Sequence, residues 1–243
     1  MYEQLIAFLE SCGFTRVEYQ LEFLLDPKNI PHAIWETLYA PLAAAVLAYL
    51  IGLPLGVLLV TGDEGGIHPL PRWLMRTLNT LVNLLRSVPF LILMVLVMPL
   101  SRMVLGTAIG TTATIVPLTV AAFPYIARLV ESSLREVDRG VVEAAQSMGC
   151  STFQIVTKVM LPECRPSLIS GATNASITIL GYGAMAGSIG GGGLGAIALQ
   201  RGYARNQLLV MYVAVILLVV LVQILQSIGK KLAAKTDKRI SHK

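Results

Sequence analysis

The sequence is short of charge. Only 14% of its 243 residues are Asp, Glu, Lys or Arg, against roughly 25% in an average soluble domain, so there are too few polar groups to clothe a water-exposed surface. The three cysteines, Cys12, Cys150 and Cys164, are odd in number and have neither C-x-x-C nor paired zinc-ligand spacing. That excludes a disulfide framework and a structural zinc site, and free thiols are expected. No G-x-x-x-x-G-K-[ST] string occurs, so the chain has no P-loop with which to bind ATP. No nucleophile and base stand in a recognisable arrangement, which argues against an enzyme, and neither metal nor cofactor is expected. No Asp, Glu or Lys lies deep in an apolar segment, and ion-coupled carriers depend on such groups.

What the sequence has is aliphatic length. Hydrophobic residues make up 55% of it and the mean hydropathy is +0.69, gathered in long uninterrupted blocks of the kind that form bilayer-spanning helices. Five segments qualify: about Ile34 to Val60, Leu78 to Leu100 with a kink at Pro89, Thr107 to Val130, Leu168 to Ile189, and Leu208 to Ile228. The expected fold is therefore all-α, one membrane domain over residues 31–229. Residues 1–30 precede it as an acidic, amphipathic extension expected to lie on a surface or to be partly ordered. They have neither the basic start nor the cleavage site of a signal peptide.

Residues 230–243 form a basic tail. The net charge of +5 sits at the ends of apolar blocks and makes no basic stripe with interleaved aromatics, so nucleic acid is not an expected partner. Five crossings place the termini on opposite sides, and the Lys/Arg bias sets the orientation. With the C-terminus inside, thirteen basic residues fall on the inner side, from Arg72 and Arg76 through Arg128–Arg165 to Lys230–Lys243. Five fall outside: Arg16, Lys28, Arg102, Arg201 and Arg205. Arg86, in the second apolar block, is expected to snorkel to the interface.

The longest inner connection, about residues 131–165, has the pattern of two helices around a corner. Asp138 is placed to cap a helix running to Met148, and Gly149 falls where a left-handed residue is wanted. Ser151 and Gln154 make a Ser-x-x-Gln capping box for a second helix, which Pro162 is expected to close.

Within this connection stand Glu143-Ala144-Ala145, then Gly149, then Leu161-Pro162. The string resembles the EAA motif of ABC importer permeases. The strings Trp35-Glu36-Thr37-Leu38, Arg86-Ser87-Val88-Pro89-Phe90, Ile115-Val116-Pro117-Leu118-Thr119 and Gly190-Gly191-Gly192-Gly193-Leu194-Gly195 extend the likeness to the permease subunits of methionine importers. The resemblance implies a type I, five-span permease in the bacterial inner membrane. It implies as partners a second copy of the chain, two ABC ATPase subunits and an external substrate-binding protein. It also makes the 131–165 connection the coupling loop to the ATPase, through Glu143, Ala144, Ala145, Met148, Gly149, Leu161 and Pro162. The small alanines suit close approach, and Val141, Ala145 and Met148 are spaced as an apolar stripe. A permease for another small polar solute, or an ion-coupled carrier or channel, is the alternative.

In the fourth segment Asn174, Thr178 and Tyr182 recur at i, i+4, i+8 on one helix face, either lining a pathway or hydrogen-bonding neighbouring helices. Gly52/Gly56, Gly106/Gly110 and Gly183/Gly187 have the G-x-x-x-G spacing of close helix contacts. Gly190, Gly192 and Gly195 formally match G-x-G-x-x-G, but the fingerprint needs a preceding strand. The run is expected to be a tight outer connection near the translocation mouth.

Overall fold

The computed structural model describes residues 2–11 and 13–236. Cys12 and the second half of the basic tail, residues 237–243, lie outside them. Among the described residues every regular element is helical: α1 (Tyr2–Ser11), α2 (Val17–Leu25), α3 (Asn29–Thr61), α4 (Arg72–Ser87), α5 (Phe90–Leu105), α6 (Ile115–Arg135), α7 (Arg139–Ser147), α8 (Thr152–Gln154), α9 (Leu161–Glu163), α10 (Arg165–Ala186), α11 (Gly193–Ala196) and α12 (Leu208–Thr236).

The helices fall into two compact units. The first holds residues up to Ala44, Leu91–Leu118 and Thr178–Ile224; the second holds Ala45–Phe90, Thr119–Ile177 and the chain from Leu225. The chain passes between them at residues 44/45, 90/91, 118/119, 177/178 and 224/225, each passage inside one of the five apolar segments read from the sequence. By length and apolarity alone, α3, α12 and the helical stretch ending in α6 are long enough to cross a membrane, and the α4/α5 pair adds a fourth as a broken span. On α12 only 11% of the most apolar window is buried, and Val215, Ile216, Val219 and Val220 are exposed. Aliphatic residues in such a row need apolar surroundings.

Two expected spans change shape. The second does not run through a kink at Pro89. α4 stops at Ser87 and α5 starts at Phe90, with Val88 extended at φ −79°, ψ 126°, because Pro89 forces the preceding residue out of the helical region. α4 is strongly amphipathic, and in the second unit it buries Met75 and Val82 with Leu59, while Leu55, Leu70 and Leu78 pack around them. Arg86 is exposed in its last turn. The third span starts later than Thr107, since Gly106 and Gly110 are left-handed and helix resumes only at Thr112. That pair therefore makes a turn, not a helix contact.

The other glycine pairs do bring elements together. In the second unit a Cβ on Gly56 would lie 2.6 Å from the Ala127 carbonyl oxygen and 2.7 Å from Val130 Cβ, and one on Gly52 would lie 2.8 Å from the Phe123 carbonyl. α3 thus lies backbone-close to α6. In the first unit Gly183 faces Pro41. In α10 the hydroxyls of Thr173 and Ser176 are satisfied within the helix itself, donating to the carbonyls of Ile169 and Ala172 one turn back.

α2 is docked in the first unit by Val17, fully buried, and by Gln20, 1% exposed. The Gln20 carbonyl accepts from the N–H groups of Leu209 at 3.0 Å and Val210 at 3.3 Å, and its amide donates to the Thr15 carbonyl at 2.6 Å. A side chain nearly 190 positions away thereby caps the otherwise unpaired start of α12.

Replacing Gly56 with Val is expected to force α3 and α6 apart against a backbone carbonyl that cannot rotate away. The cost of such overpacking is about 1–3 kcal/mol or more. A lowered thermal unfolding midpoint in detergent, with Gly56→Ala falling between Val and wild type, checks it.

Candidate functional site

The second unit contains the helix–corner–helix in full. Asp138 accepts from the Gly140 N–H at 2.7 Å and starts α7. The helix ends in two bonds, Gly149 N–H to the Gln146 carbonyl at 2.9 Å and Cys150 N–H to the Ala145 carbonyl at 3.1 Å. This is the Schellman pattern, which needs a left-handed residue between them, and Gly149 supplies it at φ +80°. Ser151 and Gln154 then cap each other, the Ser151 N–H donating to Gln154 Oε1 at 2.9 Å. The second helix does not close at Pro162. It passes through a π-helical stretch, Ile155–Met160, into α9 and ends at Glu163. Proline is tolerated there because it occupies the first turn of a new helical segment, where an N–H has no carbonyl to reach.

This element has a fixed side and an open side. Ala145, Ile155, Val156 and Met160 are buried, and Leu161 and Pro162 are half-buried. Val141 is 46% exposed, Met148 and Phe153 each 77%, and Glu143, Ala144 and Gly149 are exposed as well. The stripe read from the sequence is therefore split: Ala145 packs inward, within the chain, and the outward apolar positions are Val141, Ala144 and Met148. Cys164, behind the second helix, is a buried free thiol, and burial pushes its pKa up to about 11. Cys150 is free too.

Just ahead of α7, charged groups tie α6 to its surroundings. Arg128 pairs with Glu131 at 2.6 Å and donates to Asn83 Oδ1 at 2.9 Å. Arg135 reaches Glu131 at 3.0 Å and Asp63 at 2.8 Å. Glu64, next to Asp63, pairs with Arg72 at 2.7 Å. Ser167 bonds Ser133 at 2.9 Å and donates to Glu136 at 3.2 Å. The hydrogen bond from Arg135 holds the Asp63 carboxyl below its usual range.

In the first unit the glycine run is a structured turn. After α10 a 3₁₀ stretch, Gly187–Ile189, leads to left-handed Gly190 and Gly193, and α11 begins at once. The N-cap residue, Gly192, has no side chain to cap with. Two neighbours on α3 do so instead: Glu36 Oε2 accepts from the Gly193 N–H at 2.8 Å, and Thr37 Oγ1 accepts from the Leu194 N–H at 2.8 Å. The other Glu36 oxygen accepts from Thr111 Oγ1 at 2.6 Å. A side chain at Gly192 would run into both Thr111 and Glu36. The cavity among Glu36, Thr37, Thr111, Thr114 and Gly195 measures about 10 Å³, room for one water at most. Sequence reading passed over the roles of Glu36 and Thr37 because their partners are 157 positions away. Asn174, Thr178 and Tyr182 all lie on α10, Asn174 exposed and the other two half-buried.

Residues 52–238 match the family described as the binding-protein-dependent transport system inner membrane component. The chain belongs to this family. It is 48% identical over 218 residues to the probable D-methionine transport system permease protein MetI of Vibrio cholerae, covering 89% of this chain and 96% of that one. It is 47% identical over 154 residues to the D-methionine transport system permease protein MetI of Escherichia coli K12, covering 63% and 70%. Among solved structures, a chain of the MetNI methionine ABC transporter, determined in inward-facing conformations, superposes with a TM-score of 0.84 at 43% identity, covering 86% of this chain and 96% of that chain. The fold is that of an ABC importer permease.

In this permease the Asp63–Arg135 pair fixes the turn after α3 to the end of α6. Asp63 has a depressed folded pKa, so its contribution is complete above the unfolded carboxylate value near 4 and fades as pH falls through the lower folded value. Both side chains are partly exposed, so the effect is small and salt-sensitive. Wild type should therefore be more stable than Asp63→Asn at pH 7, and the gap should narrow as pH falls below the unfolded carboxylate value near 4. Unfolding midpoints of the two proteins across that range test it.

Proposed function

We propose that this chain is the permease of a methionine importer, carrying L-methionine and also the D-isomer into the cytoplasm by alternating access. It works as a homodimer with two ATPase subunits and an external binding protein, crosses the membrane five times, and has its N-terminus outside. The observation that carries the reading is the helix–glycine corner–helix, which is anchored on one side and presents Val141, Ala144 and Met148 on the other. The likeness to methionine permeases over most of the chain supports the substrate. The five long apolar segments support the five crossings. Glu143, Ala144, Ala145, Met148, Gly149, Leu161 and Pro162 form the coupling element, with Ala145, Leu161 and Pro162 as its inner supports. Asn174, Thr178 and Tyr182 line the pathway.

The permease co-purified with its ATPase and reconstituted in liposomes should take up labelled methionine only with ATP inside and loaded binding protein outside. D-methionine should compete. Uptake of a different solute alone would discard methionine and keep the importer.

Gly149→Asp puts a side chain at a left-handed corner, costing about 1–2 kcal/mol, and adds a charge beside the exposed apolar face. It is expected to insert normally yet abolish transport and weaken association with the ATPase. Glu143→Ala removes one exposed polar contact, about 0.2–1 kcal/mol, and should impair transport more mildly. Wild-type uptake by Gly149→Asp at normal abundance excludes this loop as the coupling element.

A further inference from the structure

The glycine turn is bound to α3 by a carboxylate that the transport reading leaves without a role. Glu36 sits two turns into α3 with its side chain 24% exposed. One oxygen accepts a hydrogen bond from the hydroxyl of Thr111, ahead of α6, and the other accepts from the first N–H of α11. The Thr37 hydroxyl accepts from the second N–H and donates to the Ala33 carbonyl inside α3. Three stretches far apart in sequence thus meet at one side chain. His32, one turn earlier on α3 and 70% exposed, has its ring nitrogen 3.7 Å from that carboxylate.

Three features make this a mechanical joint. The cavity holds no more than one water, so no solute occupies it. Gly192 and Gly193 are where they are because a side chain would strike Glu36, Thr111 or Thr37. The N–H groups at the start of a helix have no partner of their own, and a carboxylate is their strongest acceptor.

We propose that Glu36 is a positioning residue of the transport cycle: it caps α11 from α3, so that α3, the Thr111 segment and the glycine turn move as one rigid piece while the pathway opens and closes. The cap is retained in every state, and loss of it lets the turn lag behind α3, so that ATP is hydrolysed without a solute being moved. The transport part of this rests on the function proposed above; the cap itself does not.

The test uses the permease–ATPase complex in nanodiscs, with hydrogen exchange followed on the 190–196 peptide. Wild type should show the same slow exchange without nucleotide and with ATP and vanadate. Release of the peptide in either state overturns a permanent cap. Glu36→Ala should raise exchange there about tenfold or more and Thr111→Val by less, since removing the acceptor frees the amide and removing Thr111 only loosens the acceptor. In liposomes Glu36→Ala should raise the ATP consumed per solute about tenfold, with half-saturation by binding protein unchanged. A merely structural role would lower the amount of complex and leave that ratio alone.

Glu36→Gln keeps one acceptor oxygen and should fall between Ala and wild type in both measurements. If Glu36→Ala does not assemble, Glu36→Gln and Thr111→Val decide, and wild-type behaviour in both overturns the proposal. Failure of wild type to move methionine would sink the substrate assignment and leave the exchange result standing.

Discussion

A helix begins with N–H groups that its own turns cannot satisfy, and where water is scarce the protein has to supply the acceptors. Much of what is particular to this chain answers that requirement. Local side chains do it where the chain can form its own cap: Asp138 for α7, Ser151 for α8. Distant ones do it in the first unit, with Gln20 at the start of α12 and Glu36 with Thr37 at the start of α11. The two solutions differ in consequence. A local cap fixes a helix end only to itself, whereas a cap in trans also fixes which two elements are neighbours, and both trans caps draw the N-terminal region onto the C-terminal third of the sequence.

The second unit is held by charge instead. Arg128, Glu131, Arg135 and Asp63 form a chain of pairs with the largely buried Glu131 in the middle. One unpaired carboxylate there would be costly, and two guanidiniums share it. The cluster ends three residues before Asp138, so the residue that starts α7 follows a segment already fixed on two sides. Glycine contacts between α3 and α6 complete that support, since Gly52 and Gly56 let the backbones approach where any side chain would hold them apart.

What was legible in the sequence follows the distance over which each interaction acts. The Asp138 cap, the Gly149 corner and the Ser151–Gln154 box span two to four positions and could be read from spacing. The first, third and fifth apolar segments, and the second as a broken pair, were legible because hydropathy is additive along the chain and leaves helices long and apolar enough to cross a membrane. The break at Val88–Pro89 was half legible: the proline was plain, but the amphipathic pattern of Arg72–Ser87 was masked by the apolar run that follows it. Ala145 and Met148 lie three positions apart, close enough to share a helix side, yet one is buried and the other exposed, because burial depends on what the rest of the chain sets against them. Glu36 was the hardest: an acidic residue near the start of an apolar segment looks like an interfacial charge until the partner, 157 positions on, is in view.

The build of the 131–165 loop suits the coupling role proposed for it, which asks an element both to transmit and to receive a push. Transmission needs stiffness, which comes from the two Schellman bonds, the reciprocal capping box and the buried row Ala145, Ile155, Val156 and Met160. Reception needs a contact that stays closed while the receiving surface changes shape. The outward residues meet that need: Ala144 is small enough not to obstruct, and Met148, unbranched and polarizable, refits an irregular cleft at little cost. A β-branched or aromatic side chain at Met148 would fit one shape of cleft and lose contact in another. On the function proposed above, the exposed methionine beside a left-handed glycine acts as the compliant tip of a rigid lever, and the stiffness behind it makes a small displacement of a partner usable by the helices that follow.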